Sequence, residues 1–208
     1  DNSVFDELWI KAIRTIFTTM KVQQGDNGPS PYVFMRVTDR MHDTMSNLGH
    51  GHPARPCGLV ASAFRASDDC CIYPYNIPDN FMAASVLKNS AKILREVNCE
   101  YVLADSLNVL AEQIEVGLKE NAIVDTEKYG RIYAFEVDGF GNHLLMDDAN
   151  VPSLLALPYI SDIQVSDSIY QNTRRFVLST DNPYFFREIA YNRIQDYDCV
   201  TVFEITKD

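Results

Sequence analysis

The sequence predicts a mainly α-helical fold with short β-strand insertions. Apolar residues recur at three- and four-residue spacing over residues 3–22, 79–98 and 100–119, which is the pattern of helices that bury one face. The second and third of these segments follow each other almost directly, so they predict an αα-hairpin. The strands are predicted from much shorter apolar or alternating runs that end at turn residues. The length of 208 residues fits one domain or a piece of a larger one.

The N-terminal third is predicted to combine one long helix with two short strands. Residues 3–22 form the helix, and residues 23–31, which read QQGDNGPSP, have the composition of a turn. Strands are expected at Tyr32–Val37 and at Gly58–Ala66. A loop containing Gly and Pro, Gly49–Pro56, separates them.

The central hairpin carries the most regular periodicity in the chain. Asp79 or Asn80 is the predicted N-cap of its first helix, which runs to about Asn98. Its second helix, Glu100–Lys119, has an apolar stripe of Leu103, Leu107, Leu110, Ile114 and Leu118. The turn between the helices is expected near Asn98 and Cys99.

The C-terminal third is predicted to contain shorter elements. In chain order these are a strand at Arg131–Asp138, a tight turn at Gly139–Asn142, a helical start at Pro152–Leu157, a helix at Ser168–Leu178, a turn at Asn182-Pro183 and a strand-like run at Cys199–Ile205.

The net charge of −11 limits the class of partner. Binding to a nucleic-acid backbone requires a basic surface, so nucleic acid is not expected as a partner. Anionic membranes and polyanionic substrates are disfavoured for the same reason, whereas a neutral sugar meets no electrostatic penalty. No apolar run is long enough to cross a bilayer. The compartment stays open: secretory or extracellular if a signal lies upstream, and otherwise cytoplasmic.

The five cysteines predict neither a metal site nor a disulfide framework. They form no CxxC pair, and their odd number is typical of reduced, mostly buried thiols. His50-Gly-His52 could contribute two metal ligands, but no third ligand can be named, and a surface turn is the simpler interpretation. We therefore expect no metal and no cofactor.

Two acidic pairs follow apolar segments, where a scaffold commonly presents catalytic groups. Adjacent ionised carboxylates repel, so one of Asp68 and Asp69 could keep its proton and serve as a general acid, with Arg65 holding the other as an anion. A solvated turn, or a cap on the helix near Asp79, is the alternative interpretation.

The second acidic pair, Asp147–Asp148, lies close to Asn150, and this oxygen-rich loop could suit calcium. A helix N-cap before Pro152 is the favoured alternative. Upstream, Glu136 and Asp138 alternate and so share one face of a strand.

Glycines and aromatic residues accompany these acids. Gly139 and Gly141 permit a turn that brings Asn142 and His143 back toward the strand. Carboxylates beside aromatic rings are a common sugar-binding combination, although a packed core explains most aromatic residues. The aromatic residues concerned are Phe64, Tyr73, Tyr75, Tyr133, Phe135 and Phe140.

Four runs of sequence resemble glycoside hydrolase family 125. They are GLVASAFRASDD, the Tyr-x-Ile-Pro of Tyr75–Pro78, YAFEVDGFGNHLLMDDANVPSLLALPY and IYQNTRRFVLSTDNPYFF, and the resemblance covers about Phe5 to Phe186. Members of this family are metal-independent exo-α-1,6-mannosidases built on a six-hairpin α/α toroid. The resemblance therefore implies a partial toroid with short strand insertions, and a mannose-containing oligosaccharide or N-glycan as the partner.

The resemblance also implies an inverting mechanism. One carboxylic acid would protonate the leaving oxygen, and a second carboxylate, roughly 6.5–9.5 Å away, would activate water. The family's acid falls in the Ser-Asp-Asp run, hence Asp68 or Asp69, with Asp68 slightly favoured. The remaining matched polar residues are expected to line the sugar site: Arg65, Glu136, Asp138, Asn142, Asp147, Asp148 and Asn150.

The chain departs from the family pattern at two single residues and lacks three of the family's motifs. Ala66 replaces a usual Pro, and Asp79 stands where a small residue is usual. Three motifs of the family do not occur in the chain: an upstream Trp-Leu-Arg-Asp-Ser, a Gly-Ile-Gly-Ser-Pro-His run, and the His-Glu-Ser-Phe segment that supplies the base. We therefore expect residues 1–187 to be an incomplete catalytic domain and residues 188–208 a divergent tail.

Two classes of function follow from this pattern. The chain is either part of an α-mannosidase that lacks the general base and is inactive alone, or a non-catalytic carbohydrate-binding or interaction module derived from such a domain.

Overall fold

The computed structural model describes residues 2–186 and is mainly helical. The first helix, α1, spans Glu7–Gln23 and confirms the predicted N-terminal helix. It begins after Asp6, whose carboxylate accepts a hydrogen bond from the Trp9 amide at 2.9 Å. None of its residues is fully buried, so it lies on the periphery of the core.

The predicted αα-hairpin is confirmed and forms the centre of the molecule. Helix α2 spans Ile77–Ile93 and continues as one π-helical turn over Leu94–Asn98; helix α3 spans Tyr101–Asn121. Cys99 between them adopts a left-handed conformation (φ 58°), which reverses the chain. All five leucines and isoleucines of the predicted α3 stripe are buried: Leu103, Leu107, Leu110, Ile114 and Leu118.

The predicted N-cap of α2 is wrong by three to four residues. Asn76 is the cap, and its side-chain oxygen accepts from the Asp79 amide at 3.1 Å. Asn80 is buried, and its amide group binds both backbone groups of Val60, at 2.8 and 3.0 Å. Asp79 and Asn80 lie inside the helix, and their side chains make tertiary contacts, Asp79 with Ser62 and Asn80 with Val60.

Two small antiparallel sheets cover one end of the hairpin. Strands β1 (Tyr75–Asn76), β4 (Glu136–Val137) and β5 (His143–Leu144) form one sheet in the order β1-β4-β5. Strands β2 (Ile123–Thr126) and β3 (Gly130–Tyr133) form the other.

The predicted strand Arg131–Asp138 is therefore two strands, because the chain passes from one sheet to the other at Ala134 and Phe135. The Ala134 amide binds the Ala122 carbonyl at 2.8 Å, and the Phe135 amide binds the Leu144 carbonyl at 2.8 Å. The predicted turn at Gly139–Asn142 is confirmed as the connection between β4 and β5.

The predicted strands Tyr32–Val37 and Gly58–Ala66 are wrong; neither segment forms a strand, although Phe64 makes an isolated β-bridge with Cys70. The second packs against the backbone of α3 instead of pairing with a strand. A Cβ on Gly58 would lie 2.6 Å from the Gln113 carbonyl oxygen, and one on Gly117 would lie 2.5 Å from that of Cys57. Apolar character on both faces here reflects contact with helices, not burial within a sheet.

The C-terminal part of the described chain contains two further helices. Helix α4 is a single turn at Leu157–Ile160, and helix α5 spans Ser168–Val177 after its N-cap Asp167. The predicted helical start at Pro152 is wrong by five residues, because residues 152–156 are irregular and the helix begins at Leu157. The run Cys199–Ile205 lies outside the described residues.

Helix α5 completes the core by packing on β3, and the single turn α4 packs on α2. No helix within residues 2–186 combines the length and apolarity needed to cross a membrane.

Candidate active site

Asp68 and Asp69 lie at the end of a short loop, here called the acid loop and defined as residues 64–70. Its two ends are joined by a β-bridge between Phe64 and Cys70. Inside it, the Arg65 amide binds the Asp69 carbonyl at 2.8 Å, and the Asp68 amide binds the Arg65 carbonyl at 3.1 Å. Asp68 has φ 69°, a left-handed conformation that Asp tolerates better than most residues. The acid loop is thus a closed turn, with Asp68 exposed and the Asp69 side chain 31% exposed.

The Glu136 carboxylate holds the base of the acid loop. Its Oε1 accepts from Arg65 Nε at 2.5 Å, and its Oε2 accepts from the amides of Ile72 and Tyr73, each at 2.9 Å. Both side chains of the ion pair are buried, at 4% exposure for Arg65 and 0% for Glu136. The Arg65 guanidinium also lies 5.6 Å from the centre of the Phe135 ring. A buried carboxylate with three donors is compensated, so Glu136 fixes the acid loop to strand β4.

The loop of the second acidic pair contacts the acid loop directly. Ser67 Oγ donates to Asp148 Oδ2 at 2.8 Å, and the Asn150 amide donates to Asp148 Oδ1 at 3.2 Å. Asp148 is almost fully buried. The two acidic segments, which are far apart in sequence, therefore meet at one place.

Asp147 is buried and organises the chain that follows it. Its carboxylate accepts from the amides of Leu154 (3.2 Å) and Leu155 (3.0 Å). Burial, together with the neighbouring charge of Asp148, raises the pKa of Asp147 to about 7 in spite of these bonds. The prediction that Asp148 or Asn150 caps a helix is thus wrong: Asp147 binds the amides that follow, and these belong to an irregular segment. The oxygens of this pair are occupied by protein donors, which is not the open oxygen set that the calcium interpretation requires.

Asp138 and Asn142 form the turn between β4 and β5. Asp138 Oδ1 accepts from the amides of Phe140 (2.8 Å) and Asn142 (3.1 Å), and Oδ2 accepts from Asn142 Nδ2 (2.6 Å). Burial alone would raise the pKa of Asp138, but these hydrogen bonds outweigh it and hold the pKa below its usual value. Gly139 is required here: its φ is 75°, and a Cβ would lie 2.2 Å from the Arg55 carbonyl oxygen.

A family model for metal-independent alpha-mannosidases (GH125) matches residues 1–195 of the chain. The chain belongs to the GH125 family. The match continues past residue 187, and residues 187–208 lie outside the described part, so the predicted boundary of the tail stays a prediction.

Two relatives show how much of a GH125 protein the chain represents. The "Meiotically up-regulated gene 157 protein" of Schizosaccharomyces pombe is 37% identical over 197 residues, which cover 90% of this chain and 38% of that protein. A metal-independent alpha mannosidase from Streptococcus pneumoniae, solved in a non-productive complex with alpha-1,6-mannobiose, is 44% identical with a TM-score of 0.87. That match covers 90% of this chain and 44% of the other. The chain thus spans less than half the length of these relatives.

Within the GH125 chain, the structure brings together most of the residues singled out from sequence. Arg65, Glu136 and Asp148 surround the base of the acid loop, and Asn150 and Asp147 adjoin them through the second acidic loop. Asp138 and Asn142 bind each other on the β4–β5 turn and make no side-chain hydrogen bond to the acid loop.

Three residues near the acid loop were missed by sequence reasoning as site residues. Ser67 binds Asp148, and His42 places Nε2 3.8 Å from Asp69 Oδ1. Asp79 accepts from Ser62 Oγ at 2.9 Å, and its pKa is raised by burial and then by the charges of Glu136 and Asp148. Of these three residues, only Ser67 could have been found from the sequence, because it directly precedes the acidic pair Asp68–Asp69.

The described residues contain no cluster of three or more His, Cys, Asp or Glu side chains arranged for a metal. His50 and His52 instead line a cleft beside the acid loop. The four cysteines of the described part are all free, with Cys71 buried and Cys57 and Cys70 partly buried.

Proposed function

We propose that this chain is part of a glycoside hydrolase that removes terminal α-1,6-linked mannose with inversion. GH125 membership and the similarity to a mannosidase of known structure support glycosidase chemistry. The bound alpha-1,6-mannobiose in that relative supports the linkage. The α2–α3 hairpin would be one of the six hairpins of an α/α toroid, and the rest of the ring would come from chain outside the described residues.

The proposed general acid is Asp68 or Asp69, with Asp68 favoured. The observation that carries the proposal is the acid loop itself, a turn held at its base by Glu136 and at its side by Asp148 while it presents Asp68 to solvent. An acid must approach the glycosidic oxygen to within hydrogen-bonding distance, and an exposed carboxylate on a fixed turn satisfies this condition.

Most of the proposed sugar-site residues would act by positioning. The carboxylates of these residues all accept hydrogen bonds from protein donors. We therefore assign Glu136, Asp147 and Asp148 to holding the two acidic loops in place, and Asp138 to holding the β4–β5 turn. Arg65 donates to Glu136 and is held by that ion pair. Asn142 and Asn150 remain as candidates for direct contact with sugar hydroxyls.

The second catalytic carboxylate is proposed to lie outside residues 2–186. An inverting base must be free to hold a water molecule about 6.5–9.5 Å from the acid. Within the described residues, three carboxylates lie beside the acid loop, those of Glu136, Asp148 and Asp79, and each already accepts a hydrogen bond from a protein donor. This observation favours a second candidate function for the chain alone, a mannose-binding module without turnover.

One experiment separates these two functions for the chain as it stands. We expect mannose to raise the melting temperature and α-1,6-mannobiose to survive incubation, because the acid loop is present and the base is not. Asp68→Asn and Asp69→Asn serve as variants, and Asp105→Asn, an exposed residue on α3, is the matched control. Release of mannose by the wild-type chain would contradict the placement of the base outside it, and no shift at high mannose concentration would contradict the binding function.

A further inference from the structure

A cavity of about 290 Å³, here called the hairpin cavity, is bounded by both helices of the α2–α3 hairpin. Its remaining walls come from strands β2 and β3 and from residues 161–163, and it shares no residue with the acid loop. Its apolar lining consists of Phe81, Ala84, Leu118, Ile123, Tyr133 and Ile163. An apolar cavity of roughly 150 Å³ is enough to hold benzene, so the hairpin cavity has room for a small aromatic molecule.

The hydroxyl group of Tyr133 indicates that this cavity holds a ligand. Within residues 2–186 three tyrosines are buried, and two of them use their hydroxyls inside the protein. Tyr75 donates to the Arg55 carbonyl at 3.2 Å, and Tyr170 donates to the Leu155 carbonyl at 3.0 Å. Tyr133 is only 5% exposed, yet its hydroxyl binds none of the residues that the structure describes. Buried polar groups are nearly always hydrogen-bonded, and the cavity that Tyr133 lines is the space in which a partner would lie.

Tyr133 and Phe81 together form an aromatic wall of the hairpin cavity. Their ring centroids are 5.1 Å apart with an angle of 73° between the ring planes, which is an edge-to-face pair. A third ring can add to such a pair in an edge-to-face or an offset-stacked arrangement. Burial raises the pKa of Tyr133 to about 12, so its hydroxyl stays protonated at neutral pH and can both donate and accept.

The charges around the hairpin cavity cancel, although the chain as a whole carries −11. Glu115, Lys119 and Asp162 line it. Lys88 Nζ lies 2.5 Å from Glu115 Oε1 and 2.8 Å from Asp162 Oδ2, so one ammonium joins both carboxylates. Two positive and two negative groups therefore surround the cavity. Moving an ion from water into an apolar site is costly, so a site without net charge favours a neutral ligand.

The wall formed by residues 161–163 is already held in place by the protein. The Leu157 carbonyl accepts from the Ser161 amide at 3.0 Å and from Ser161 Oγ at 2.7 Å. The Ile163 amide in turn donates to Ser161 Oγ at 3.2 Å. A site that is already formed loses little conformational freedom on binding, which favours affinity.

We propose that the hairpin cavity binds a neutral aromatic molecule that carries one hydrogen-bonding group. Its ring would pack against Phe81 and Tyr133, and its polar group would bind the Tyr133 hydroxyl. This site is separate from the acid loop, so the inference goes beyond the proposed hydrolysis of mannosides and does not depend on it.

The test is an NMR titration of the whole 208-residue chain with indole, a neutral aromatic molecule with one N–H donor. Indole should shift the backbone amides of Ile123, Tyr133 and residues 161–163 until they saturate, and it should leave those of Asp68 and Asp69 unchanged. Indole-3-acetate, an anion, and tryptamine, a cation, should both bind more weakly than indole.

Two tyrosine variants separate binding from stability. Tyr133→Phe keeps the ring and removes the hydroxyl, so it should weaken indole binding about fivefold without lowering the melting temperature. Tyr170→Phe is the matched control, because its hydroxyl binds the Leu155 carbonyl and Tyr170 does not line the cavity. This control should lower the melting temperature and leave indole binding unchanged. Ala84→Leu places a larger side chain in the cavity and should abolish binding.

Several results would overturn the inference. One is the absence of saturable shifts at the hairpin cavity, and another is equal indole affinity in Tyr133→Phe and wild type. Tighter binding of either ion than of indole would contradict the neutral class of ligand. Shifts of the same amides with protein concentration, in the absence of indole, would show that a second copy of the chain occupies the cavity instead. Ala84→Leu provides a second test if Tyr133→Phe does not fold, because indole binding that survives in it would lie elsewhere.

Discussion

Asp147 should make the stability of the protein depend on pH near neutrality. Its carboxyl group is buried and has a pKa of about 7, compared with 3.8 for an ordinary Asp. Because the folded pKa is the higher one, the native state binds more protons than the unfolded state between these two values. The contribution of Asp147 to the free energy of unfolding is therefore most favourable below about pH 4. It falls as the pH rises, and the loss is complete above about pH 7.

The magnitude follows from the difference between the two pKa values. A difference of about three units corresponds to about 4 kcal/mol, because each unit is worth about 1.4 kcal/mol. Asp147→Asn removes this pH-dependent part. The two carboxylate oxygens of Asp147 accept hydrogen bonds from the backbone amides of Leu154 and Leu155, and the substitution replaces one of these oxygens with an NH2 group. The lost hydrogen bond lowers the free energy of unfolding by about 1–3 kcal/mol at every pH.

Urea unfolding at a series of pH values tests this reasoning. From about pH 5 to pH 8, the stability of Asp147→Asn relative to wild type should improve by up to about 3 kcal/mol. Titrating groups that do not interact with Asp147 cancel in this difference, and Asp105→Asn, an exposed substitution, is the control. A difference between wild type and Asp147→Asn that stays constant over the whole range would refute the argument.

Three further predictions concern the acid loop and the β4–β5 turn. Glu136→Gln should lower the free energy of unfolding by about 3–5 kcal/mol, because Arg65 is left buried without its counter-charge; urea unfolding measures this, and an effect as small as that of a surface substitution would contradict it. Gly139→Ala should destabilise far more than Gly141→Ala, since both have positive φ but only the first would clash; equal melting temperatures would be inconsistent with that clash. Ser67→Ala should speed hydrogen exchange in the acid loop without lowering the melting temperature by more than a few degrees; unchanged exchange would show that this bond does not hold the loop.

The long helices were predictable because their apolar residues recur at helical spacing. The periodic stripes of α1 and α3, and the hairpin turn at Cys99, were all read from spacing alone. The strands were not predictable in the same way. Gly58–Ala66 has the composition of a buried strand, but its neighbour is the backbone of α3, and a short apolar run does not reveal what packs against it.

The site was predictable in its residue types but not in its connections. The acidic pairs stood out in the sequence, whereas the contacts that define them join residues 71 and 81 positions apart, as in Arg65–Glu136 and Ser67–Asp148. No local pattern encodes such pairs. The position of Asp79 before a predicted helix indicates a cap. Only the tertiary structure shows that it lies close enough to Glu136 and Asp148 for their charges to raise its pKa.

The most direct test of the central claim is the anomeric form of the sugar released from α-1,6-mannobiose. It should be followed by proton NMR with a longer form of the protein that restores the His-Glu-Ser-Phe segment. We predict that β-mannose is released first, as inversion requires, and that Asp68→Asn or Asp69→Asn abolishes release while Asp105→Asn does not. Release of α-mannose, or full activity in both acid-loop variants, would contradict the account.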